Sequence, residues 1–182
     1  MKLDSSRLPA LLDDMNAALR EMREHFERDA SGWSRGPAGK WTAGQHVEHV
    51  VHVLALTATG LERAAEELQA GRLGTRPWRD PLQALFVALV TREPFPSGGK
   101  ALKATQPGPT PSREQVFPRL AEGMARHRAL AERVSPEDAD RIWIWNPFVP
   151  KLRWHYRLPE IIRVHATHTR HHFRLAQKAS RT

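Results

Sequence analysis

The sequence predicts an all-α fold: a four-helix bundle with one extra short helix and long Pro/Gly-rich connections. Three observations carry that expectation. Four long segments repeat apolar residues at three- and four-residue steps, the period of one helix face. Capping residues and the breakers Gly and Pro stand at the ends of these segments. No stretch alternates apolar and polar residues for long enough to suggest a half-buried sheet. With 182 residues the chain suffices for one domain, 1–182, with a substantial core, and is short for two.

The first helix is expected over residues 5–29, where Leu8, Leu11, Leu12, Met15, Leu19, Met22 and Phe26 share a face between charged residues. The stretch SGWSRGPAGKW then breaks the pattern. Thr42 followed by Gln45 reads as a capping box that opens a second helix running to Gly71, a glycine stop. Its first half is apolar nearly all round, which predicts burial by several neighbours. Asp80 as N-cap and Pro81 at the first helical position open a shorter helix over 81–92. Residues 93–111, rich in Pro and Gly, read as a long connection. A further helix is expected over 113–134, with Leu120, Met124, Leu130 and Val134 inward and Pro118 kinking it or delaying its start. RIWIWNPFVPKLRWHYRL, aromatic-dense and broken by prolines, is expected to be irregular and partly extended on the core. The last helix is expected to start near Pro159 and end near Ala179.

Composition narrows the chemistry. The chain has no cysteine, so disulfides, thiolate ligands and a cysteine nucleophile are excluded, and any metal must use nitrogen and oxygen ligands. No apolar run approaches the roughly 18–20 residues needed to span a membrane. The N-terminus lacks the basic-then-apolar layout of a secretory signal, so a cytoplasmic address is expected. A net charge of +8 and a pI near 10.7 raise nucleic acid as a partner. The charge is arginine-rich and spread along the chain, however, which weakens that reading.

Four of the ten histidines fall in the stretch VHATHTRHH. At 100° per residue, with Ile161 as origin, His165, His168 and His172 lie within about 60° of it, as do Val164, Leu175 and Ala176. Arg163, Arg170 and Arg174 take the opposite pole, and His171 sits at the edge, about 80° away. A surface tract would have no reason to sort its residues this way. One inward histidine is commonly a core residue bonded to a carbonyl. Three on one stripe are harder to satisfy, because each buried ring nitrogen needs a partner. A divalent cation would satisfy them, and the i, i+4 spacing of His168 and His172 lets two rings converge on one ion. In the second helix His46 and His49 can both face the interior, while His52 points toward the surface. Periodicity does not choose between His46 and His49.

WTAGQHVEH at 41–49, a Trp followed eight positions later by His near the start of a long helix, and HTRHH at 168–172 together resemble the DinB-like family of four-helix-bundle proteins. That superfamily also takes in YfiT-like metal-dependent hydrolases and thiol-linked transferases. The resemblance implies a three-His metal site of His49, His168 and His172 with open coordination positions, and a homodimer, with a monomer the alternative. The family often has Gln three residues beyond the last ligand, where this chain has Leu175. His46 and His165 are extra to the pattern and would orient a ligand from a second layer, carry a proton, or pack.

The chemistry expected at such a site is hydrolysis through an acidified bound water, or group transfer through a substrate thiol bound as thiolate. The cofactor would be a divalent metal, zinc or nickel foremost and iron also suited to imidazole, with or without a low-molecular-weight thiol. The substrate would be a small molecule. Two other classes stay open: a non-catalytic metal-binding stress or interaction protein, and an arginine-rich nucleic-acid-binding protein. No general base stands out. Glu48 projects about 100° from His49 and is expected at the surface, while Glu160 and Asp140 qualify only if loops bring them in. Trp154, Tyr156 and their aromatic neighbours could wall a pocket beside the metal, with Arg153 and Arg157 receiving an anionic group.

Overall fold

The computed structural model describes residues 3–182. Six helices and one small hairpin follow in the order α1 (Leu8–Arg28), α2 (Ala43–Gln69), α3 (Pro81–Val90), α4 (Arg113–Arg133), α5 (Pro136–Arg141), β1 (Trp143–Trp145), β2 (His155–Arg157) and α6 (Leu158–Ser180). A 3-10 turn over Ser5–Arg7 precedes α1, so the expected helix at 5–29 begins with a tighter turn.

The four long helices form a closed ring in which α1 packs on α6 and α4, and α2 packs on α6 and α4. Cross-links between them give their directions. Asp14 of α1 meets Arg163 and Arg170 of α6, and Phe26 meets Phe173 further along both, so α1 and α6 are parallel. Glu48 of α2 meets Arg119 of α4, and Glu62 meets Arg126, so α2 and α4 are parallel as well. The entry to α2 lies beside the exit of α1, where the Gly44 and Trp33 backbones bond. The bundle therefore runs up-down-down-up, and the long 70–112 stretch returns the chain to the end where α4 starts.

The ring closes on an apolar core that includes the fully buried Met15, Leu19, Met22, Leu54, Leu120 and Ile162. Each such side chain contributes about 1.5–3 kcal/mol of burial. Trp33, in the α1–α2 loop, plugs one end of the bundle between Phe26 and Phe117 and donates its indole N–H to Pro111 O. It lies so close to α2 that a Cβ on Gly44 would come within 2.5 Å of its ring.

Two elements depart from the sequence expectation. The aromatic segment contains a true antiparallel hairpin, with Ile144 paired to Tyr156, and a short helix, α5, precedes it. Of the two effects expected of Pro118, the delayed start does not occur, since α4 begins at Arg113. Ser112 caps the helix at Gln115 N, and only the Glu114 carbonyl loses the partner that Pro118 cannot supply. Among the described residues no helix is long and apolar enough to cross a membrane.

Candidate metal centre

The capping box at Thr42 and Gln45 forms with both reciprocal bonds and fixes where α2 begins. Trp41, just outside it, and His46 and His49, in the first two turns, are positioned by that start. Opposite, α6 presents His168 and His172 one turn apart on its buried face. The rings of His49, His168 and His172 stand with centroids 5.2, 4.6 and 4.4 Å apart. All three are buried, and each offers a nitrogen within 4.8 Å of the other two, a grouping that could hold a metal ion.

The hydrogen bonds around the group define its tautomers in part. His49 Nδ1 lies 2.7 Å from Thr105 O. A carbonyl only accepts, so Nδ1 carries the proton and Nε2 keeps its lone pair. His172 Nδ1 lies 3.1 Å from His46 Nδ1. His168 Nδ1 is buried with no hydrogen-bond partner, a costly state for a polar atom that a bound cation nearby would help to explain. Burial is the main cause that lowers the pKa of all three rings. The carbonyl of Thr105 partly opposes it at His49, while the neighbouring histidines add to it at His168 and His172. At neutral pH the rings are therefore uncharged donors, the form that imidazole must take to bind a metal. By donor type, charge and burial the residues fit a divalent cation.

Three aromatic and backbone neighbours shield the group. Trp41 lies 5.0 Å from His49 and 5.4 Å from His46. Phe95 meets His168 edge-on at 5.1 Å and lies 5.6 Å from His171, which is half-buried. Thr105 belongs to a 3-10 turn in the 93–111 connection. That connection thus folds over the site, a role its lack of periodicity gave no sign of. Trp41 was marked by its place in WTAGQHVEH, whereas Phe95 and Thr105 carried no signal.

Of the other expected residues, one adjoins the group and the rest stand elsewhere. His46 touches His172, as an orienting neighbour would. His165 is buried one turn before His168, but its partners are Thr57 Oγ1 at 2.8 Å and the ring of His127. Glu48 is not at the surface: its carboxylate accepts from Gly108 N and pairs with Arg119, because the 93–111 connection folds over that side of α2. Glu160 and Asp140 are not brought to the histidines. Glu160 lies in the first turn of α6, bridged to Arg79 and Arg157, and Asp140 pairs with Arg157.

The aromatic pocket expected beside the metal is not there either. Arg157 is eleven residues before His168, about 16 Å along a helix that rises 1.5 Å per residue. Trp154 and Tyr156 are buried beside Phe86, with the Trp154 N–H on Asp80. The guanidinium of Arg157 is occupied by Glu160 and the Leu3 carbonyl. Arg153 stacks over Trp145 at the same hairpin.

No curated protein and no solved structure matches the chain. A family model described as the DinB superfamily matches residues 4–176, nearly the whole length, and the chain belongs to that superfamily.

Proposed function

We propose that His49, His168 and His172 hold one divalent cation, zinc or nickel foremost, and that the protein is a metal-dependent hydrolase or a transferase using a low-molecular-weight thiol. The convergence of three buried, uncharged imidazoles from two helices, with the His49 lone pair freed by Thr105, carries this reading. When bound, such a cation supplies Lewis acidity toward a water or a substrate thiol at its open positions. The chain's own residues do the rest. Thr105 O and His46 orient the rings of His49 and His172, while Trp41 and Phe95 limit access of bulk water. Among the described residues no carboxylate joins the group, so neutral ligands leave the cation its full charge. Leu82, Leu85 and Leu89, exposed along α3 near the exposed Trp78, offer a surface on which the homodimer of this reading would close.

Metal analysis of protein purified without a His-tag tests the core of the proposal. About one ion per chain is expected, falling sharply in His168→Ala while helical content is retained. An unchanged metal content in that variant would overturn the assignment.

A further inference from the structure

Further along α2, past His49 and on much the same face, lies a feature that the metal reading does not use. Ala55, Thr59, Gly60 and Ala64 form a low floor, and β1 stands beyond it, leaving a groove of about 1190 Å³. That is ample for a small organic ligand, whose sites usually span about 300–1,000 Å³. The small residues keep the groove open; even at Gly60 an added Cβ would lie 3.4 Å from Ile144. Trp143 and Trp145 supply an aromatic wall, and Trp145 is 43% exposed.

Three guanidiniums line this groove. Arg63 is paired with Glu67 and Arg119 with Glu48. Arg153 has no acidic partner among the described residues and lies 5.3 Å over the Trp145 ring. Its backbone is left-handed, with φ 49° and ψ 34°, and it is the one non-glycine residue with positive φ among those described. A glycine would take that conformation without penalty, so the residue type is not chosen for the turn. At the far end His52 lines the groove with a buried Nδ1 that has no hydrogen-bond partner.

We infer that this groove is a binding site for a planar organic anion, an aromatic ring carrying a carboxylate, sulfonate or phosphate. The ring packs against Trp143 and Trp145, and the anionic group pairs with Arg153. A guanidinium already stacked on indole is oriented and weakly hydrated, so it meets a planar anion with little left to order. The inference does not depend on the metal reading, since the groove shares none of the three histidines.

Titration of the full chain with 8-anilinonaphthalene-1-sulfonate, a fluorescent aryl sulfonate, tests it. Saturable binding that weakens with salt is expected, and it should be equal in wild-type protein and in His168→Ala. Arg153→Gly should weaken binding about tenfold or more with no loss of thermal stability, and Arg153→Lys should retain part of the affinity. Leu85→Glu, which disrupts the exposed apolar row on α3, should bind as wild type. Absence of saturable binding, undiminished affinity in Arg153→Gly, or loss of binding in Leu85→Glu would each overturn the inference.

Discussion

Two ring nitrogens 3.1 Å apart, His46 Nδ1 and His172 Nδ1, must share a single N–H. If His172 is the donor, its Nε2 lone pair is free, and His46 plays the part that a carbonyl plays for His49. Burial, reinforced by His49 and His171, lowers the pKa of His46 to about 4, so it stays neutral and able to accept at pH 7. The expected result for His46→Ala is therefore an unchanged stoichiometry with affinity reduced about 10–100-fold, measured by competition with a chelating indicator. Loss of the ion altogether would place His46 among its holders. His46 is also one of the two residues between which periodicity did not choose. His46 and His49 lie about 60° apart in projection, and both do face α6. What separates them is the Thr105 carbonyl, which comes from a connection whose path no local pattern encodes. The same connection buried Glu48 against the expectation from its facing.

The helices themselves were legible because each long one carries a sustained apolar period and a cap. Asp80 accepts from Gln83 N at the start of α3, and Gly71 takes φ 68° just beyond α2, as their residue types imply. The strands were not legible, since three residues are too few for alternation to register. The missed helix α5 had a signature in Ser135–Pro136 but only six residues to show it. The capping box of α2 is the element on which the site depends most, because it fixes the turn from which Trp41, His46 and His49 project. Thr42→Ala should cost about 1 kcal/mol in urea unfolding of the metal-free protein. A cost below about 0.3 kcal/mol, within the range of an ordinary surface change, would mean that Trp33 and the 93–111 connection hold the α2 start without the cap.

At the scale of the molecule, part of the charge that suggested a polyanionic partner is organised into internal pairs. Arg163 and Arg170 flank Asp14, Arg170 and Arg174 reach Glu93, and Arg79 and Arg157 flank Glu160. The arginine pole of α6 is therefore tied to α1 and to the 93–111 connection, which leaves no bare basic stripe along that helix. This organisation makes the fold sensitive to acid in two stages. Burial alone would raise the Glu160 pKa, but hydrogen bonds from Arg79 and the Arg157 backbone, with both guanidinium charges, hold it down to about 2. Its stabilisation is complete above its unfolded value of 4.5 and is lost as pH falls from there toward 2. The buried histidines act earlier and in the same direction. His127 and His165 have pKa values lowered chiefly by burial, so the unfolded chain takes up protons first as pH drops below 6.5. Each ring that stays neutral in the fold then costs up to about 1.4 kcal/mol per pH unit. Urea midpoints of metal-free protein should accordingly fall from pH 6.5 to 5, before any carboxylate titrates appreciably. His127→Leu separates this effect from the metal centre, since His127 Nε2 is buried without a partner and its ring is not one of the three. That variant should stay within about 1 kcal/mol of wild type at pH 7.5 and lose about one proton's worth of acid sensitivity. Midpoints that stay level between pH 6.5 and 5, or an unaltered slope in His127→Leu, would show that the buried rings accept protons without opening the bundle.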